Sequence, residues 1–362
     1  MFVALRDLRH ARGRFALIST VVLLVAVLVT FLSSLTAGLA RASVSALTDL
    51  PADRLAFGMA APGDKPDLTS SRVTQDQWQA WSRVPGVGDA QPLGIATTRA
   101  TSQGDHGTTV AVTAFGVEAG SDLAPGGGPA DGQVVVTRRA ADALSVAAGG
   151  ALAVDGAELT VTRVVADDAQ LSHTPVVWVS LADWQQVGAR GGGEAPLATV
   201  VALTTTGRAD EASADGAIGT TTVTTSAARS AVSSFTAENL SLTTMQAFLV
   251  AISALVVGAF FTVWTISRQG DVAVLKALGA STGYLLRDAL GQAALILVGA
   301  VAVGAGLAAA AGSALAAVLP MVVSPATTLA PAALLVVLGL VGAAAAVARI
   351  TRTDPHAALA AR

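Results

Sequence analysis

The strongest pattern along this chain is three runs without a single Asp, Glu, Lys or Arg. Residues 15–40 lie between Arg14 and Arg41, residues 239–267 between Glu238 and Arg268, and residues 289–348 between Asp288 and Arg349. A helix that crosses lipid needs about 20 apolar residues. The first two runs therefore predict one span each. The third is long enough for two, and Pro320, Pro325 and Pro331 interrupt its middle. Proline ends helices, so the pattern predicts spans at 15–40, 239–267, 289–319 and 331–349, with a short loop at 320–330.

The charges that border these runs predict an orientation. Arg6, Arg9, Arg12 and Arg14 precede the first span. Arg268, Lys276 and Arg287 sit in the 268–288 loop, and Arg349, Arg352 and Arg362 at the end of the chain. Basic residues collect on the cytoplasmic side. That places residues 1–14, the 268–288 loop and the 350–362 tail inside, and residues 41–238 with the 320–330 loop outside. Phe2, Leu5 and Leu8 recur at helical spacing among the first arginines, which predicts an interfacial amphipathic helix over 1–14. The first apolar run exceeds the 7–15 residues of a signal-peptide core, so it is read as a span.

Residues 41–238 are too many for a loop. "QVVVT" (133–137) reads as a strand followed by a short helix, "RRAADALSV". The segment "GALAVDGAELTVTRVVAD" alternates around Asp155-Gly156, a hairpin signal. "TPVVWVSLADWQQV" reads as a strand and a helix, 197–206 as another strand, and 76–84 as a helix. Gly-rich stretches at 125–129 and 188–196 are loops. The prediction is a helical membrane protein with four transmembrane helices and an α+β domain inserted between the first and second. Trp78, Trp81, Trp178 and Trp184 are its expected core anchors.

Composition agrees. Of 362 residues, 52% are hydrophobic and 13% charged, about half the charge of a soluble domain. The net charge of −3 implies no nucleic-acid partner, and the absence of cysteine excludes disulfides and thiol chemistry. No Gly-Lys pair exists for a phosphate-binding loop, and the zinc-protease and serine-hydrolase motifs are missing. The chain is read as no enzyme. None of the four histidines, His10, His106, His173 and His356, stands at metal-ligand spacing from another. His106 and His173 are expected as solvated loop residues.

Two features remain. Glu238, in "TAENLSLTTM" (236–245), is the last charge before Arg268. It lies at the mouth of the second span, where a carboxylate near a helix start also gains from the macrodipole. Seven residues on, Met245 falls on nearly the same helix face, about 10 Å along the axis. After that span, "DVAVLKALGAS" (271–281) predicts an amphipathic helix over 271–278, a turn at Gly279, and Ser281 or Thr282 as the N-cap of the next helix.

"DVAVLKALGAS" resembles the cytoplasmic signature of FtsX/MacB-type ABC transporter permeases, with Asp271 in place of the usual Glu. "DPHAALA" (354–360) is similar to that family's C-terminal motif, and the one-plus-three span layout matches over the whole length. The resemblance implies a homodimeric permease of the bacterial plasma membrane, driven by two copies of a separate ABC ATPase subunit. Arg268, Asp271, Leu275, Lys276, Ala277 and Gly279 would form the coupling surface. Residues 238–292 look more narrowly like the HrtB-type haem exporters. This implies haem as transported ligand, with no permanently bound cofactor, entering from the outer leaflet of the membrane lipid. Glu238 would then bind the haem iron, with Met245 as a weak second ligand and Phe235 and Phe31 as apolar walls. The alternatives are efflux of another hydrophobic cargo (lipid, lipoprotein, peptide or drug) and an FtsX-like regulator of a cell-wall hydrolase.

Overall fold

The computed structural model describes residues 12–59, 64–103, 107–188, 196–267, 270, 274, 278–316 and 318–351. The chain divides into two compact units. One comprises the residues up to 39 together with those from 240 onward, and the other residues 40–239.

The first unit is helical. Its helices are α1 (Arg12–Thr48), α6 (Ser233–Ile266), α7 (Thr282–Leu315) and α8 (Pro325–Thr351). All four are long and apolar enough to cross a membrane. Their shared core gathers Val22 and Ala26 of α1, Val257 and Phe261 of α6, Leu297 of α7 and Leu335 of α8. Leu28, Phe248, Leu255 and Val341 are exposed on the other faces, as lipid-facing positions require. Close approach depends on absent side chains. A Cβ on Gly304 of α7 would lie 2.6 Å from the Leu23 carbonyl oxygen of α1, and one on Gly342 of α8 would lie 3.2 Å from the Gly258 Cα of α6.

The helices run past the charge-free stretches, because backbone hydrogen bonding need not stop where lipid does. Helix α6 starts at Ser233 rather than 239. Helix α7 starts at Thr282, with the Ser281 hydroxyl accepting from the Tyr284 N–H. The expected break at Pro331 is corrected, since this proline lies inside α8. Pro325 instead opens the helix. The Ser324 Oγ accepts from the Thr327 N–H at 3.2 Å, and the Thr327 Oγ1 accepts from the Ser324 N–H at 2.9 Å. This reciprocal cap puts Pro325 at the first helical position, where its missing N–H costs nothing. Pro331 then forfeits one bond, that to the Thr327 carbonyl. Residues 1–11, where the interfacial helix is expected, lie outside the described residues.

The second unit is α+β. Its strands are β1 (Arg54–Gly58), β2 (Val87–Ser102), β3 (Thr109–Val117), β4 (Gln133–Thr137), β5 (Ala151–Val154), β6 (Ala157–Val165), β7 (Gln170–Leu171), β8 (Thr174–Ser180), β9 (Val200–Thr205) and β10 (Thr220–Thr224). Four short helices accompany them: α2 (Gln75–Trp81), α3 (Arg138–Leu144), α4 (Leu181–Gly188) and α5 (Glu211–Ile218). The pairing order is β10-β1-β9-β2-β3-β8-β4-β6-β5, and β5 also pairs with β2. Strands β2, β3, β8, β4, β6 and β5 therefore close a ring. The start of β2 leaves it to pair with β9.

Several strands are buried on both faces, so alternate residues feed different cores. Val134, Val136, Val177 and Val179 belong to one cluster, while Val135, Val176 and Trp178 belong to another. The second cluster also takes Val44 and Leu47 from the end of α1 and Phe235 from the start of α6. The expected Asp155-Gly156 hairpin is present, with φ of 48° and 83°, the pair of left-handed residues that a tight primed turn needs.

Candidate functional site

The two long helices that enter the α+β unit meet one hairpin of its sheet. Strands β7 and β8 are joined by Ser172 and His173 alone, at φ of 49° and 63°. Both central residues of such a turn are left-handed, a conformation that glycine and asparagine adopt with least strain. Here the tip is held by hydrogen bonds. The Ser172 N–H donates to the Ser43 carbonyl at 2.9 Å, and the His173 N–H donates to the Ala42 carbonyl at 3.1 Å. One strand back, the Gln170 N–H donates to Ser45 Oγ at 3.0 Å. Towards α6, the Ser172 and Ser234 hydroxyls lie 3.1 Å apart.

This clamp presents the His173 ring to Glu238. Nε2 lies 2.9 Å from Glu238 Oε2 and 2.9 Å from Ser43 Oγ, and Ser43 Oγ donates to the same Oε2 at 3.2 Å. Three polar groups from α1, the β7–β8 turn and α6 thus meet at one point. The histidine side chain is 41% exposed and the glutamate 31%, so the site is open to a ligand. At that exposure an ion pair contributes about 0–1 kcal/mol, so the turn is held chiefly by its backbone bonds to Ala42 and Ser43.

The trio is not a hydrolase relay. That chemistry needs the serine at one ring nitrogen and the carboxylate at the other, whereas both contacts here fall on Nε2. What it offers is a carboxylate oxygen and an imidazole nitrogen side by side, a donor pair suited to a hard or borderline metal centre. Among the described residues, no group of three or more His, Cys, Asp and Glu is placed to hold a bare metal ion.

The geometry corrects several expectations. His173 is an exposed turn residue, as expected, and it also meets Ser43 and Glu238. Glu238 sits beyond the first turn of α6, which begins at Ser233, so neither capping nor the macrodipole explains it. Phe235 is only 7% exposed, packed in the α+β core, and presents no wall to a ligand. Met245 is 60% exposed on α6 and is no part of the trio. Phe31 is half-buried within the helical unit. Of the expected coupling residues, Gly279 turns the chain at φ 93°. Arg268, Asp271, Leu275, Lys276 and Ala277 lie outside the described residues. The signal for His173 was a two-residue polar break, Ser172-His173, between Leu171 and the apolar run of β8.

A cavity of about 390 Å³ opens beside the hairpin tip, lined by Leu68, Arg72, Ile95, Ser172, Trp184 and Ser234 among others.

Residues 244–355 match the family model described as FtsX-like permease C-terminal. A putative hemin transport system permease protein HrtB of Staphylococcus epidermidis is 24% identical over 297 residues, 82% of this chain and 81% of the relative. Its counterpart in Staphylococcus haemolyticus is 22% identical over 360 residues, 99% of each chain. Among solved structures, the periplasmic region of MacB from Actinobacillus actinomycetemcomitans aligns with a TM-score of 0.35 and 11% identity, covering 51% of this chain and 93% of its own. The extracellular domain of the noncanonic ABC-type transporter YknZ from Gram-positive bacteria aligns with 0.33 and 14%, covering 48% and 98%. Residues 244–355 thus resemble an FtsX-like permease domain, in a chain with four helices long and apolar enough to cross a membrane and an α+β domain between the first and second.

Proposed function

We propose that this chain is the permease subunit of an ABC-type efflux pump that takes haem from the outer leaflet of the plasma membrane and releases it outside. The observation that carries the reading is the open Glu238 carboxylate at the beginning of the second membrane helix, in a chain whose relatives are named for hemin transport. Haem has an apolar ring that partitions into lipid and carboxylates that hold it near the headgroups. A ferric iron is a Lewis acid, and an anionic oxygen suits it. Glu238 belongs to a helix that continues as an apolar span, so a ligand diffusing in the leaflet meets it laterally. In a two-fold homodimer the carboxylate occurs twice around one axis, which suits a flat ligand gripped from both faces. Hydrolysis of ATP belongs to two copies of a separate subunit that dock on the 268–282 region. The motion they drive closes the dimer on its cargo.

The test is a hemin titration of the purified full chain in detergent, followed by the Soret band. The parent is expected to bind with a shifted, saturable band. Glu238→Gln is expected to bind about 10-fold more weakly or worse, with an altered spectrum, in line with the loss of a metal-site contact. A parent chain that never perturbs the Soret band would turn the reading towards another hydrophobic cargo or a regulatory role.

A further inference from the structure

We infer that His173 is a positioning residue for the cargo site: together with Ser43 it holds one oxygen of the Glu238 carboxylate, so that the other, Oε1, is presented to the iron. The inference rests on the haem reading above and deepens it. An ionised carboxylate only accepts hydrogen bonds. Oε2 accepts from Ser43 Oγ at 3.2 Å, and His173 Nε2 lies 2.9 Å from the same oxygen. Nε2 is therefore the nitrogen that carries the proton and donates it. Ser43 Oγ is also 2.9 Å from Nε2, so the three atoms close a triangle. Among the described residues, no hydrogen bond reaches Oε1, and the side chain is 31% exposed.

A glutamate alone on an exposed helix face does not fix its carboxylate, because the last torsion of the side chain is broad. Here both donors come from outside α6 and share one anchor. Ser43 belongs to α1, and the hairpin that carries His173 is bonded through its backbone to the Ala42 and Ser43 carbonyls. The two oxygens thereby divide the work, Oε2 for the protein and Oε1 for the cargo. Haem iron has one axial position on each face, which a single oxygen fills. An Fe–Oε1 bond forms as a water leaves the iron, the bonds to Oε2 stay, and no proton or electron moves. The porphyrin remains outside the trio, so His173 and Glu238 need not part. In the two-fold dimer each face of the ring meets one Oε1. Carboxylates that ligate a metal are themselves hydrogen-bonded, and losing such a partner lowers metal affinity about 10–100-fold.

The experiment is a hemin titration of the purified full chain, with electron paramagnetic resonance of the loaded protein. The parent is expected to show one narrow ferric signal from an oxygen-ligated iron. In His173→Ala hemin affinity falls about 10-fold or more, and the signal broadens as the carboxylate loses its fixed direction. His173→Gln, whose amide N–H replaces the Nε2 donor, restores both. Ser43→Ala removes the other donor but keeps the Ser43 carbonyl that holds the hairpin, and shifts affinity and signal the same way. A merely structural effect of losing the ring is not reversed by glutamine, so failure of that rescue overturns the inference. If His173→Ala and Ser43→Ala keep the parent affinity and signal while Glu238→Gln changes them, the positioning role falls and the haem reading stands. If Glu238→Gln changes nothing either, the haem reading falls and the inference with it.

Discussion

Trp184 shows how single residues set the α+β core by what they lack. Gly94 and Gly116 face each other across β2 and β3. A Cβ on Gly94 would lie 2.2 Å from the Trp184 ring, and one on Gly116 would lie 2.4 Å from its Cβ. Trp184 is 4% exposed, with no room to withdraw. Gly116→Val is therefore expected to cost about 1–3 kcal/mol as overpacking, read as a lower midpoint in denaturant. An unchanged midpoint would mean that the strand shifts to accommodate it. The burial of Trp184 follows from the sequence, because a tryptophan in an amphipathic segment seeks a core. The role of the two glycines does not, since 22 residues separate positions 94 and 116 and only the register of β2 and β3 pairs them. Glu238 teaches the same lesson. Along the chain it is solitary, yet its imidazole partner is 65 residues away.

At the scale of elements, one helix start was legible and helix contacts were not. Ser281 precedes an apolar run and caps it, because capping is a local affair. Pro325 and Pro331 carry equal weight as breakers in the sequence, but the Ser324–Thr327 cap turns the first into a helix start. Gly304 is one of many small residues in α7, and the fold alone marks it as the place where α7 meets the α1 backbone. Gly304→Val is expected to separate these helices and lower the thermal midpoint in detergent by the equivalent of about 1–3 kcal/mol. Gly306→Val, where a Cβ meets nothing within 4 Å, is the control and should leave the midpoint within about 0.5 kcal/mol of the parent. Equal effects of the two would show that helix propensity rather than packing is being measured.

At the scale of the whole molecule, the transport proposed above requires that ATP hydrolysis on a partner subunit be coupled to the Glu238 site. Gly279, at φ 93° and exposed, turns the chain into α7 in the segment proposed to meet the ATPase. A bulky charged residue there is strained by the left-handed backbone and alters the docking surface. Gly279→Arg is expected to abolish hemin efflux from reconstituted vesicles while hemin affinity stays that of the parent, because Glu238 is untouched. Full efflux in this variant would move the coupling surface elsewhere.

The sequence by itself determined the four membrane helices, the inserted α+β domain and the position of Glu238 beside a span. These follow from the lengths of uncharged runs, from period-two alternation and from turn residues, all of which act over neighbours in the chain. Only the tertiary structure decided that β2, β3, β8, β4, β6 and β5 close a ring. It alone brought Ser43, His173 and Glu238 together, the first two 130 positions apart in the chain. Strand pairing and helix docking are long-range choices, set by which apolar faces fit one another. A polar cluster assembled by those choices leaves no period or spacing behind for the sequence to reveal.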